Sequence, residues 1–152
     1  MIDRPPMDRL DAWNERIASV IGGAIPMRFE HVSPERVVMT MEVDARVHQP
    51  MGILHGGASL VLAESAASVG AAVNCPEGMV AVGQEINANH LRSKRDGTVR
   101  AEARPLHIGR TTQVWSIEIR DEEERLVCIS RCTLAVVPVR SGAGDRGARA
   151  DA

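Results

Sequence analysis

The sequence contains few aromatic residues and few cysteines. Its 152 residues include two tryptophans, one phenylalanine and no tyrosine, together with three cysteines. A core with so few rings must be aliphatic, which favours a sheet of Val, Ile and Met packed on an alanine-rich helix. An odd number of thiols without CxxC spacing is typical of a reducing compartment rather than of a disulfide scaffold, so we expect a cytoplasmic protein.

Charge, targeting signals and metal motifs are also sparse. The net charge of −2 and the pI of about 6.2 argue against nucleic acid or an anionic membrane as a partner. We find no apolar run that we expect to span a bilayer, and the N-terminus lacks the features of a signal peptide. The histidines lack HxxxH-type spacing, and GxSxG and Walker motifs are absent, so no metal is expected.

The apolar spacing predicts an α+β domain with two helices and six strands. The helices are predicted at about 8–22 and 56–74, and the strands at 27–31, 37–43, 79–91, 98–108, 110–120 and 125–137. Asp8 is expected to cap the first helix and Gly109 to bend or bulge a strand. The short links between the last strands predict an antiparallel meander that curls around the long helix. Residues 1–138 would form one domain, followed by a disordered tail at 139–152.

The central helix carries a single charged residue, Glu64, between Gly57 and Asn74. Burying a carboxylate in such a segment is costly unless something pairs with it or uses it. Glu64 is therefore either a nucleophile or general base, or one half of an ion pair with an arginine at a subunit contact. Ser68, four residues later, shares its face and could bind the carboxylate or a water molecule.

Gly56 lies where this helix begins. Its N–H belongs to the unpaired donors at the positive end of the helix, where it could stabilise an oxyanion. The alternative is that Gly56 and Gly57 merely form a loop-to-helix step. Glu64 lies about 10 Å further along the axis than Gly57. We therefore predict a composite site, in which two antiparallel helices place each Gly56 opposite Glu64 of another copy.

Three segments, QPMGILHGGASLVLAES, VGQEINANHLRS and PLHIGRTTQVWSIEI, resemble the hotdog-fold acyl-CoA thioesterases. They are most similar to bacterial aryl-CoA thioesterases, a group that includes enzymes of menaquinone and enterobactin synthesis. The resemblance covers roughly residues 27–137. It implies a hotdog fold with a sheet of five to six strands, and a homotetramer of two dimers with active sites at the dimer interface. It also implies hydrolysis of an aromatic acyl-CoA, with coenzyme A as part of the substrate and no cofactor.

The resemblance also implies roles for individual residues. Glu64 would act on the thioester, and Gln49 would help to orient its carbonyl, unless Gln49 is only a surface loop residue. His55 would lie near the thioester, and by chemistry alone it could be a general acid, a second oxyanion donor or a loop-locking side chain. His90 would line the acyl pocket, unless it is a core or interface histidine. Met51 stands where members of the group often carry Phe, so the preference of the acyl pocket would differ.

Coenzyme A carries three phosphates, so basic residues near the site are candidates to bind it. Gly83 would admit the pantetheine arm. The candidates for contact with the rest of coenzyme A are Arg92, Ser93, His107, Gly109 and Arg110. The alternative is that these charges only keep loops and strand edges soluble.

Two other functions belong to the same fold. A hydratase or dehydratase needs an Asp/His or His/Glu dyad for proton transfer, and a non-catalytic acyl-CoA-binding regulator would carry a DNA-binding extension. The HGG step and the glutamate within the helix favour a thioesterase over the first. The N-terminal arm, with one short helix and no basic recognition segment, argues against the second.

Overall fold

Six strands form one antiparallel sheet that wraps around a single long helix. The computed structural model describes residues 5–139. Its helices are α1 (Leu10–Ala18) and α2 (Gly56–Val73), and its strands are β1 (Met27–Val32), β2 (Val37–Glu42), β3 (Met79–His90), β4 (Thr98–Ile108), β5 (Thr112–Arg120) and β6 (Leu126–Pro138). The strand order is β1-β2-β4-β5-β6-β3. The predicted α+β architecture, with a long helix wrapped by the sheet, is confirmed.

Small residues let α2 lie directly on the sheet. Ala63, Ala66 and Ala67 have no exposed surface, and neither does Trp115 on the facing strand β5. Gly70 touches the Trp115 ring so closely that an added Cβ would lie 2.5 Å from it. The interior is close-packed, so a larger residue at position 70 would push the helix away from the sheet.

Strand β3 lies at the edge of the sheet. Strands β4, β5 and β6 form the predicted meander, but β3 pairs with β6 rather than with β4. It is 12 residues long, and its residues are exposed or half-buried throughout. A long unpaired edge is a template for pairing with another chain. The β3–β6 register also shifts between Gly83 and Glu85, which marks a bulge at Gln84.

Two predicted boundaries are wrong. Helix α1 begins at Leu10 instead of Asp8; Arg9 precedes it without a side-chain cap and pairs with Asp11. The helix ends at Ala18, and Val20, which continues the apolar stripe, is 63% exposed. Gly109 does not bend a strand but lies in the turn between β4 and β5, where its N–H donates to the Thr112 carbonyl at 2.9 Å.

Helix α2 has the 18 residues and the apolar composition that would allow it to cross a bilayer, contrary to our expectation that no segment does. Its apolar character has a simpler cause, because α2 is the core helix, and Leu62 and five of its six alanines are buried. The predicted disordered tail at 139–152 lies outside the described residues, except for Val139.

Candidate active site

The start of α2 is held by His55. The Nδ1 atom of His55 accepts a hydrogen bond from the Gly57 N–H at 2.8 Å, and its carbonyl accepts from the Ala58 N–H at 3.0 Å. Of the three roles considered for His55, this hydrogen bond corresponds to a side chain that locks the loop. It leaves the Gly56 N–H without a hydrogen-bond acceptor among residues 5–139.

The imidazole of His90, at the end of β3, lies against Gly56. A Cβ added to Gly56 would lie 2.7 Å from the His90 Nε2 atom. Only glycine therefore allows this close approach between the start of the helix and the end of the edge strand. The structure brings together two residues that the sequence separates by 34 positions.

A cavity of about 340 Å³ opens beside Gly56. Four other predicted site residues line it, namely Gln49, His90, Arg92 and Ser93. Lys94, next to Ser93, also lines it, and five further lining residues were not predicted: Ile53, Leu54, Ser59, Leu91 and Val127. Most of these lie within a few positions of the HGG motif (55–57) or the INANH motif (86–90), so their closeness in sequence to these motifs could have indicated them. Val127 is different, because only the pairing of the strands brings β6 to this place.

Gln49 occupies a tight turn and uses one end of its amide to hold it. Its Oε1 atom accepts from the Met51 N–H at 2.6 Å, and its carbonyl accepts from the Gly52 N–H at 2.9 Å. The Nε2 atom of Gln49 has no partner within the described part of the chain and remains a hydrogen-bond donor. The Met51 side chain is 76% exposed and does not line the cavity.

The Glu64 side chain is exposed and forms no ion pair with any described residue. Its Oε1 atom lies 2.6 Å from the position that a Cβ of Gly83 would occupy. The buried thiol of Cys132 is also near. Burial, together with the negative charges of Glu64 and Glu85, raises the pKa of Cys132 to about 11, so this thiol is neutral at physiological pH.

Within one chain, Glu64 does not lie near Gly56 or the cavity beside it. Glu64 lies eight positions after Gly56 on the helix, which is about 12 Å along the axis. Their contacts on β3, Gly83 and His90, are roughly 23 Å apart along the strand. Glu64 does not line the cavity. The half-buried Ser68 is on α2, one turn beyond Glu64, and does not line it either.

The remaining predicted residues lie at the Gly83 end of the sheet. His107 and Gly109 contact each other at the β4–β5 turn, which also holds Arg110. The register connects Ile108 through Gln113 and Leu134 to Gly83. Within the described chain Arg92 and Arg110 have no acidic partner, whereas Lys94 pairs with Glu122.

Comparison with known proteins places these residues in a family context. The family model described as "Thioesterase superfamily" matches residues 51–128. The 1,4-dihydroxy-2-naphthoyl-CoA hydrolase of Escherichia coli (strain K12) is 51% identical over 129 residues, which cover 84% of this chain and 94% of that protein. The protein of the same name from Listeria monocytogenes is 56% identical over 105 residues, covering 69% and 85%. The proofreading thioesterase EntH of Cronobacter turicensis is 39% identical over 128 residues, covering 84% and 93%.

Solved structures agree with the sequence comparison. A thioesterase of Haemophilus influenzae superposes with a TM-score of 0.82 at 37% identity, covering 93% of this chain and 97% of that one. A thioesterase of Pseudomonas aeruginosa superposes with a TM-score of 0.81 at 42% identity, covering 91% and 98%. The predicted hotdog fold is confirmed.

Proposed function

Because the chain belongs to the thioesterase superfamily and is a thioester hydrolase, we propose that it hydrolyses aromatic acyl-CoA thioesters. Water would add to the thioester carbonyl and the C–S bond would break, which gives a free aromatic acid and coenzyme A. Two similar proteins are named as hydrolases of a naphthoyl-CoA. The apolar side chains of Ile53, Leu54 and Val127 provide a wall against which an aromatic ring can pack.

The observation that carries this proposal is the Gly56 N–H, which lies beside the cavity and has no acceptor among residues 5–139. It is the first N–H of an 18-residue helix, where the helix dipole favours negative charge. Hydrolysis of a thioester passes through a tetrahedral oxyanion, and a donor placed in advance stabilises that charge. The free Nε2 donor of Gln49 lines the same cavity and would be the second donor. His55 fixes the turn and His90 borders the acyl group.

Glu64 would attack the carbonyl or activate the attacking water molecule. A carboxylate held in an ion pair would be unsuited to this role, and Glu64 has no such partner among residues 5–139. Ser68, one turn further along α2, would bind the water molecule or the carboxylate. Thiolate is a good leaving group, so no strong general acid is needed. The proposed reaction uses no metal and no cofactor.

Two copies of the chain would complete each site. Glu64 touches Gly83 and Gly56 touches His90, and these two β3 residues are seven positions apart. If two β3 edges pair antiparallel about a two-fold axis near their midpoint, at Ile86 and Asn87, Gly83 of one copy lies beside His90 of the other. The same operation brings Glu64 of one copy to Gly56 of the other. We further propose that two such dimers form a tetramer.

Coenzyme A would lie along the same contact between the two copies. Arg92 and Ser93 are at the cavity, and both lack an acidic partner in the described structure. The antiparallel pairing would bring the β4–β5 turn of the second copy, with His107, Gly109 and Arg110, towards this end. Guanidinium groups from both copies would then be available for the phosphates. A cytoplasmic location is part of the same proposal.

A thiol-release assay tests the function directly. The panel comprises benzoyl-, hydroxybenzoyl-, dihydroxynaphthoyl-, phenylacetyl- and aliphatic CoA thioesters. We expect kcat/KM to be at least about tenfold higher for the aryl-CoA substrates, and we expect Glu64→Ala to lower kcat by roughly 10³-fold or more. Glu77→Ala, which removes an exposed glutamate in the α2–β3 loop, is the matched control and should leave the rate unchanged. Near-normal turnover by Glu64→Ala, or a preference for aliphatic substrates, would contradict the proposal.

A further inference from the structure

The space beside Gly83, where other residues carry a side chain, is occupied by the Glu64 carboxylate. The only described atoms within 4 Å of a Cβ added there belong to Glu64, with Oε1 at 2.6 Å and Cδ at 3.8 Å. Real Cβ atoms essentially never approach another heavy atom within 3.0 Å. A side chain at position 83 and the present position of the Glu64 carboxylate are therefore incompatible.

The backbone does not require glycine at this position. The glycines with positive φ are Gly52, Gly78 and Gly97, whereas Gly83 lies outside the left-handed region. Within one chain Gly83 is exposed at the sheet edge, and an added methyl group would meet no described atom other than those of Glu64. Alanine is normally better than glycine in a strand, because it restricts the unfolded chain. The contact with Glu64 is thus the one feature of the described structure that calls for glycine.

The obstructing atom is the far end of a flexible side chain. An alanine at position 83 would be accommodated by rotation of the Glu64 side chain rather than by movement of the strand or helix. The fold would keep its stability and the carboxylate would lose its position. Misplacement of a reacting group by about 1 Å can cost about 10²-fold in rate.

We propose that Gly83 is a positioning residue, whose missing side chain provides the space in which the Glu64 carboxylate is held for reaction. The inference rests on the proposed catalytic role of Glu64. It differs from the expectation that Gly83 admits the pantetheine arm of coenzyme A. The bulge between Gly83 and Glu85 belongs to the same feature, because bulges commonly adjust the strand beside an active site.

The first test is Gly83→Ala, assayed with the best aryl-CoA substrate. We expect kcat to fall by about 10- to 100-fold, with KM changed by less than about threefold. The midpoint of thermal unfolding should stay within about 3 °C of wild type or rise. A rise in KM with unchanged kcat would overturn the inference and indicate contact with the pantetheine arm. Loss of stability would also overturn it, because it would show a structural role.

A double-mutant cycle with Glu64→Asp gives a second readout. Aspartate is shorter by one methylene, so its carboxylate withdraws from position 83, and Gly83→Ala should then cost less than about threefold in kcat. Glu77→Ala, at an exposed position in the α2–β3 loop and outside the edge strand, is the control and should keep the wild-type kcat. Equal losses from Gly83→Ala in the wild-type background and in the Glu64→Asp background would overturn the inference.

The two proposals fail differently. If Glu64→Ala retains activity, the proposed function itself is wrong. If Glu64→Ala is inactive while Gly83→Ala is as fast as wild type, only the positioning role of Gly83 is overturned.

Discussion

The two polar atoms of the Gln49 side chain have different roles: one holds the turn, and the other is available at the cavity. Oε1 accepts from the Met51 N–H and holds the turn, while Nε2 remains available as a donor. A glutamate at this position can still accept from Met51 but cannot donate. The substitution therefore separates the part of Gln49 that shapes the loop from the part that would bind the substrate.

We predict that Gln49→Glu lowers kcat by about 10²-fold, at least as much as Gln49→Ala, because the oxyanion loses a donor and gains a repelling charge. The glutamate variant should keep the wild-type unfolding midpoint, since its turn is intact. Steady-state kinetics and thermal unfolding of both variants make the comparison. Wild-type kcat in Gln49→Glu would show that the amide donor plays no part.

At the residue scale, the sequence selects candidate residues but does not show their contacts. Glu64 is a candidate because it is the single charge in an apolar helix, and Gly56 because it stands where that helix begins. The contact between Gly83 and Glu64 was not predictable, because the sequence does not show which atom fills the space beside a glycine. Ser59 and Val127 were missed for a similar reason, as their place at the cavity depends on the folded chain.

At the scale of elements, the turn between β5 and β6 depends on one buried carboxylate. Asp121 is 3% exposed, and its oxygens accept from the N–H groups of Glu123 and Arg125 and from the Arg125 Nε at 2.7 Å. Burial by itself raises the pKa of Asp121, but the hydrogen bonds and charge of Arg125 lower it below its ordinary value of 3.8. A pKa lowered by folding means that the ionised form stabilises the fold.

We predict that Asp121→Asn lowers the midpoint of urea unfolding at pH 7. The stabilisation is present above the unfolded pKa of 3.8 and is lost as the pH falls through the lower pKa of the folded state. The difference between wild type and variant should therefore shrink below about pH 4. Glu123→Gln, on the same turn but with an exposed ion pair to Arg125, is the control and should change little. A difference that is constant down to pH 2 would contradict this account.

Element types were predictable, but their ends were less so. The long helix and all six strands follow from the period of the apolar residues, and β4 was predicted with the observed bounds. Helix α1 was predicted too long because Val20 and Ile21 continue the apolar stripe. In the fold that stripe packs mainly on the short strand β1, and these two residues are left exposed.

At the scale of the whole molecule, the order of the strands in the sheet could not be predicted from the sequence. Short links predict the neighbours β4, β5 and β6, but the pairing of β3 with β6 joins residues that are 38 (His90 and Cys128) to 59 (Met79 and Pro138) positions apart. That pairing places β3 at the edge and leaves 12 residues for a second copy. The composite site was predicted from the spacing of Gly56 and Glu64 along one helix and was also implied by the family resemblance. It stays a prediction, and the absence of Glu64 from the cavity lining in one chain is consistent with it.

The most direct test combines two inactive variants in one dimer. Glu64→Ala removes the acid. Gly56→Val places a side chain where even a Cβ would lie only 2.7 Å from the His90 Nε2 atom, and so blocks the start of the helix. Each variant alone should show less than about 1% of wild-type turnover. A heterodimer of the two, purified through different tags on the two chains, contains one site with both residues intact if each site is shared between copies. It should recover about half of the wild-type rate per dimer. A heterodimer no faster than its two parents would contradict a site built from two chains.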